Sequence, residues 1–191
     1  YDAREVLTRL VDDSDLLEFK SGYGSQTVCT HATVHGHDCA FIGNNGPINP
    51  EGATKATHFI QLCCQSNTPL VFLQNTTGYM VGTSYEQAGM IKHGSKMIQA
   101  VTNATVPRFT FMIGASYGAG NYGMCGRAYD PDFLFSWPNA STGVMGGEQA
   151  AITMRIVAEQ SAARRGREID PAMLDAQGKQ IVNLFDSQSN A

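Results

Sequence analysis

Short apolar runs, each followed by a glycine-bearing loop and then a helix-patterned stretch, recur through the middle of this chain and restrict its fold more than any other feature. Residues 70–73, 106–113 and 133–137 are continuous apolar, β-branched or aromatic runs, the pattern of strands covered on both faces. Residues 74–82, 114–118 and 138–147 read as the loops that follow them. Residues 85–103, 119–126 and 148–165 then read as helices. Strands joined through helices pair parallel by right-handed crossovers, so the pattern predicts an α/β domain. Open parallel sheets bind ligands beyond the carboxyl ends of their strands. The three glycine-bearing loops are therefore expected to wall one site.

The flanks extend this plan. Residues 2–10 alternate at helical spacing, and 27–35 with 39–43 form a hairpin pattern turning at Gly36-His37-Asp38. Residues 44–50 are a loop and 51–67 a helix stopping before Pro69. A last helix spans 169–185, with Asp170 at its N-cap and Pro171 at the first helical position. Nothing linker-like divides the chain, so residues 1–191 are one domain. Because the chain begins at Tyr1 rather than methionine, it is expected to be an excised piece of something longer.

Composition excludes several classes. Thirteen Lys and Arg against 17 Asp and Glu leave a net charge of −4, the wrong sign for gripping nucleic acid. No apolar run approaches bilayer length, and nothing resembles a signal peptide. Five cysteines (Cys29, Cys39, Cys63, Cys64 and Cys125) without a C-x-x-C pair argue against a disulfide framework or zinc ribbon. Reduced core thiols fit a cytoplasmic or mitochondrial-matrix setting.

Candidate chemistries crowd onto residues 114–126. Gly118, Gly120 and Gly123 match G-x-G-x-x-G, but the next strand follows too soon for the usual helix and ends without an acid for a ribose. Gly114, Ser116 and Gly118 match the nucleophile elbow G-x-S-x-G, yet no histidine follows His93 to complete a triad in that chain order. His31, His35 and His37 cluster on the hairpin without a carboxylate or cysteine to finish a metal set. His58 and His93 stand alone within helices. What remains is a backbone site: a strand feeding a glycine-rich helix start aims the N–H groups of Ala119 and Gly120 at developing negative charge. Such a device suits chemistry on thioesters or ureas. The 74–82 loop offers a second glycine-lined wall. Glu148 reads as a carboxylate placed at a helix N-terminus by the helix dipole.

Five motifs carry a family resemblance: residues 72–82 (Phe-Leu-Gln-Asn-Thr-Thr-Gly-Tyr-Met-Val-Gly), 91–96 (Ile-Lys-His-Gly-Ser-Lys), 115–127 (Ala-Ser-Tyr-Gly-Ala-Gly-Asn-Tyr-Gly-Met-Cys-Gly-Arg), 137–139 (Trp-Pro-Asn) and 144–151 (Val-Met-Gly-Gly-Glu-Gln-Ala-Ala). With them the chain resembles the C-terminal half of the carboxyltransferase (β) subunit of biotin-dependent acyl-CoA carboxylases. It is most similar to the 3-methylcrotonyl-CoA and geranyl-CoA carboxylase branch.

The resemblance implies a crotonase-like ββα superhelix and transfer of CO₂ from carboxybiotin to the γ-carbon of an α,β-unsaturated acyl-CoA. It implies that Ala119 and Gly120 receive the ureido oxygen of biotin, with no protein base demanded. It implies a biotin pocket lined by Thr77, Gly78, Tyr79, Met80, Val81 and Gly82, together with Tyr117, Gly118, Asn121 and Tyr122. The cofactor is biotin on a partner subunit, the substrate a CoA thioester, and no metal belongs to this domain. The implied partners are the N-terminal carboxyltransferase half, the biotin carboxylase and biotin carrier (α) subunit, and further copies in a hexameric β core. Two other readings stay open: a docking module without chemistry, and a crotonase-type hydratase or thioesterase. The second would need a catalytic carboxylate where Asn121 and Tyr122 stand.

Overall fold

The computed structural model describes residues 1–166 and 170–189. Among them seven strands form one sheet: β1 (Leu17–Glu18), β2 (Thr27–Val34), β3 (His37–Asn44), β4 (Leu70–Thr76), β5 (Arg108–Tyr117), β6 (Phe133–Ser136) and β7 (Ser141–Gly143). The order runs β1-β2-β3-β4-β5-β6, and β7 pairs with β5. The first three strands are antiparallel; from β3 onward every pair is parallel, as the alternating pattern requires.

Period-two alternation along β4 explains its unbroken apolar run. Leu70 and Phe72 enter a core beneath the helices, while Val71 and Leu73 enter a second core on the opposite face. The first core is closed by α2 (Pro50–Ser66) and α4 (Met90–Thr102). Helix α2 buries Ala53, Ala56, Phe59, Ile60 and Cys63 at helical spacing. Asn49 caps its start by accepting from the Gly52 amide at 2.8 Å, and Asn67 ends it in the left-handed region at φ 56°. The second core is covered at one side by the short α1 (Ala3–Leu7) through Ala3 and Leu7.

Several boundaries differ from the sequence expectation. The hairpin turns at His35-Gly36, both with positive φ, so His37 and Asp38 already belong to β3. Asp12 fixes this turn by accepting from the His35 and Gly36 amides at 2.9 and 2.8 Å, a long-range contact with no local signal. Those amides hold the Asp12 carboxyl below its usual range. The helix expected at 85–103 is two, α3 (Thr83–Gln87) and α4, broken where Gly89 adopts φ 83°. The helix expected at 2–10 closes at Leu7, after which the Leu7 carbonyl takes the Leu10 and Val11 amides in a tightened turn.

The strands outrun their apolar runs. β4 continues through Gln74, Asn75 and Thr76, and β5 through Tyr117, so the start of the expected 74–82 loop and most of the expected 114–118 loop are sheet. The cause is a register shift. Gln74 pairs Met112 but Thr76 pairs Ser116, and Asn75 Oδ1 accepts the Ala115 amide at 3.2 Å across the irregularity. Beyond it β5 leaves β6 and takes up β7, a strand inside the expected 138–147 loop.

The chain closes with α6 (Gly147–Arg164) and α7 (Pro171–Ser189), which pack on one another and return to β7. The Ala172 amide donates to Asp170 Oδ1 at 2.9 Å, the expected cap, while Ile169 lies outside the described residues. The cysteines are free thiols; Cys29, Cys63 and Cys125 are buried, and burial pushes Cys63 up to about 12.

Candidate active site

The site grows from the far end of β5. Tyr117 is still extended, and the chain then turns at Gly118, φ 53°, into the six-residue α5 (Gly118–Gly123). The next turn of chain fits there only because glycines stand at the contacts. A Cβ on Gly118 would lie 2.9 Å from the Val144 carbonyl oxygen. A Cβ on Gly120 would lie 2.8 Å from Gly78 Cα and 2.9 Å from Thr76 Cγ2. The end of β4, the start of α5 and the segment after β7 therefore meet at backbone distance, the convergence expected of the three loops.

Buried polar side chains hold them together. Gln74, fully buried, donates to the Met124 carbonyl at 2.8 Å and accepts the hydroxyl hydrogen of Ser116. Asn121 Nδ2 donates to Ser116 Oγ at 2.7 Å and reaches Gln74 Oε1 at 3.3 Å. Thr142 Oγ1 donates to the Ser116 carbonyl at 3.0 Å, tying β7 to the same node. Every member of this network is satisfied, the condition under which buried polar groups rigidify a site. Ser116 thus sits within a strand, buried, bonded to two amides; the nucleophile-elbow match is a strand residue in a structural network.

The predicted site residues divide. Ala119 is exposed and Gly120 buried beside it, at a helix start that no side chain caps among the described residues. Ala119, Gly118, Asn121 and Tyr122 line a cleft of about 820 Å³. Gly78 abuts Gly120 behind it, and Thr77, Val81 and Gly82 are exposed along the loop that follows. That loop is pinned by two hydrogen bonds of 2.9 Å, from the Ile48 amide to the Gly78 carbonyl and from the Met80 amide to the Ile48 carbonyl. Tyr79 turns inward: its ring packs against Gly94, its hydroxyl faces Met97 Sδ at 3.8 Å, and burial raises its pKa. Met80 also packs on the core, and Tyr117 is half-buried against Gly143. Arg127, which sequence reasoning did not assign, lines the cleft and brings a cation to it. Its position as the last residue of the 115–127 motif was the available signal. Glu148 is exposed in the first turn of α6, outside the cleft lining.

His31 packs its ring 4.9 Å from that of Phe59, and among the described residues no His, Cys, Asp and Glu group is placed to hold a metal.

Residues 1–189 match the carboxyl transferase domain. The chain belongs to that family. Its fold is accordingly crotonase-like, matching the alternation of strands and helices described above. This carboxyl transferase chain is 50% identical over 190 residues to the probable mitochondrial methylcrotonoyl-CoA carboxylase beta chain of Drosophila melanogaster, covering 100% of this chain and 33% of that one. The geranyl-CoA carboxylase beta subunit of P. aeruginosa superposes with a TM-score of 0.94 at 56% identity, over 100% of this chain and 36% of that one. The transcarboxylase 12S hexamer assembly with hydrolysed methylmalonyl-coenzyme A bound superposes with a TM-score of 0.86 at 32% identity, with the same coverage. The chain thus spans about a third of the length of the relatives it matches.

Proposed function

We propose that this carboxyl transferase domain is the biotin-facing half of an acyl-CoA carboxylase active site. It would serve transfer of CO₂ from carboxybiotin to the γ-carbon of a branched α,β-unsaturated acyl-CoA, 3-methylcrotonyl-CoA or geranyl-CoA. The observation that carries this reading is the lining of the cleft at α5. It contains backbone donors, small polar groups and the Arg127 cation, but no carboxylate, imidazole or thiol among the described residues. Its hydroxyls are those of Tyr122 and of Thr142, which donates to the Ser116 carbonyl; stabilisation of a developing oxyanion suits this lining better than a strong base or nucleophile. The same lining disfavours a crotonase-type hydratase or thioesterase, which needs a carboxylate at this turn.

Bound carboxybiotin supplies the CO₂ and, as that leaves, negative charge on its ureido oxygen. The amides of Ala119 and Gly120, at the start of α5, would stabilise that charge. Gly118 and Gly120 let the Val144 carbonyl and the Gly78 backbone close against the start of α5, which fixes the position of these donors. Arg127 adds positive potential at the cleft wall. Tyr122, 45% exposed and held edge-on to Tyr129 with centroids 5.8 Å apart, offers an apolar wall for a bicyclic ring. Thr77, Val81 and Gly82 form the outer lip, positioned by the bonds to Ile48.

The reading extends to partners. The N-terminal carboxyltransferase half supplies the CoA side of the site, a biotin-carrying α subunit delivers the cofactor, and copies assemble as a hexameric core; the names of the relatives and the 12S assembly support this. Among the described residues no helix is long and apolar enough to cross a membrane. The setting proposed is a bacterial cytoplasm or a mitochondrial matrix. The test is reconstitution: the complete subunit, given its biotin partner, should carboxylate 3-methylcrotonyl-CoA or geranyl-CoA. Failure with both, and with short acyl-CoAs, in a folded assembly would refute the proposal.

A further inference from the structure

We infer that the polar groove between α2 and α4 is the docking surface for an acidic segment of the protein that carries biotin. This rests on the function proposed above. The groove, about 1060 Å³, is larger than the cleft at α5. It is lined by His58, Gln61 and Gln65 from α2 and by His93, Lys96 and Gln99 from α4, with no carboxylate in its lining. In a chain of net charge −4 that is a local reversal of sign. Lys20 reinforces it, with Nζ 3.0 Å from His58 Nδ1. Helix α4 carries no acidic residue at all, and the acids of the neighbouring helices, Glu51 and Glu86, fall outside the lining.

The shape selects the kind of occupant. Groove residues on α4 run from His93 to Asn103, a stripe about 15 Å long at the helical rise. One phosphate would engage a fraction of it, whereas an extended segment or helix bearing carboxylates would meet its whole length. Position selects the partner. His93 precedes Gly94, the glycine on which Tyr79 of the proposed biotin loop packs, and His93 is itself fixed by a 3.0 Å contact of Nδ1 with Thr54 Oγ1. A protein seated here would lie against the helix on which that loop packs through Tyr79. Complementary charge of this kind governs encounter and register.

The experiment uses the complete subunit carrying Lys96→Glu with Gln99→Glu, two exposed positions outside the proposed chemistry. Binding of the unbiotinylated carrier is measured by calorimetry, and CO₂ transfer is measured with both free N1-carboxybiotin and the carboxylated biotin carrier. The double variant should weaken carrier binding and raise the carrier KM about tenfold, with transfer from free N1-carboxybiotin unchanged. The unaltered protein should lose carrier affinity as salt is raised, and the variant less so. Equal carrier affinity in both proteins overturns the inference and leaves the proposed function standing. A parallel loss with free N1-carboxybiotin overturns it too, by making the groove part of the site or the fold. Saturable pyrophosphate binding that the variant abolishes, with carrier binding intact, would reassign the groove to small anions. No transfer from free N1-carboxybiotin in the unaltered subunit defeats the proposed function itself.

Discussion

Gly120→Ala is the perturbation that the packing at α5 most sharply specifies. The added methyl would lie 2.8 Å from Gly78 Cα, 2.9 Å from Thr76 Cγ2 and 3.2 Å from the Gly78 amide nitrogen. Two of these are backbone atoms, so no side chain can swing away. Carbon contacts are comfortable near about 3.5–4.0 Å, so α5 and the 77–82 loop must separate by roughly 0.7 Å or more. Overpacking of this kind costs about 1–3 kcal/mol. The same movement displaces the proposed donors against the biotin lip, and misplacement of about 1 Å can cost roughly 100-fold in rate. The assay is paired: urea unfolding of the domain, and CO₂ transfer from free N1-carboxybiotin in the complete subunit. Gly22→Ala is the control, because its Cβ would meet nothing within 4 Å. Wild-type stability and wild-type transfer in Gly120→Ala, with the control behaving alike, would refute the reasoning that glycine is present here for backbone approach.

Other expectations follow from the buried polar groups. Ser116→Ala should lower stability by about 1–3 kcal/mol, because it leaves Gln74 and Asn121 short of a partner. It should keep transfer within about tenfold, and serine-directed reagents should not label the native protein. Lys55 is fully buried, with Nζ 3.5 Å from Glu18 Oε1 and no hydrogen-bond partner among the described residues, whereas Arg4 grips Glu18 through two bonds of 2.7 and 2.8 Å. Lys55→Met should therefore be nearly neutral or stabilising, while Glu18→Gln, which strands a buried ammonium, should cost about 3 kcal/mol in urea unfolding. The Arg4 hydrogen bond holds the Glu18 carboxyl below its usual range despite opposing burial. Its stabilisation is therefore complete above the unfolded value of about 4.3 and is lost as pH falls through the lower folded value. Urea midpoints between about pH 6 and 3 should drop more steeply in the wild type than in Glu18→Gln.

The pattern of strand, glycine turn and helix was legible because it is local: apolar runs at 70–73, 106–113 and 133–137 each seeded an observed strand. Strand ends were not legible. Gln74, Asn75 and Thr76 look like loop residues, but they extend β4 because the side chains of Gln74 and Asn75 satisfy the distant Met124 carbonyl and Ala115 amide, while Thr76 bonds locally to the Gly78 carbonyl. The break at Gly89 was written in the glycine, yet α3 and α4 together carry an unbroken helical pattern on either side of it. At the site, the glycines pointed to close approach, and the structure names what approaches: Gly78 on Gly120, Val144 on Gly118. The inward turn of Tyr79 toward Met97 and the engagement of Asn121 by Ser116 depend on tertiary neighbours that no spacing announces.

The central claim is that the amide of Gly120, with that of Ala119, stabilises the charge that develops on the ureido oxygen. Proline at 120 would remove the amide but also place a Cβ against Gly78, so the cleaner probe replaces that one amide by an ester in the complete subunit. The measurement is kcat for CO₂ transfer from free N1-carboxybiotin, beside a urea midpoint showing the domain intact. Loss of one oxyanion donor predicts a fall of about 10²–10³ in kcat with a small change in KM. An ester variant that folds and transfers CO₂ at the wild-type rate would contradict the account.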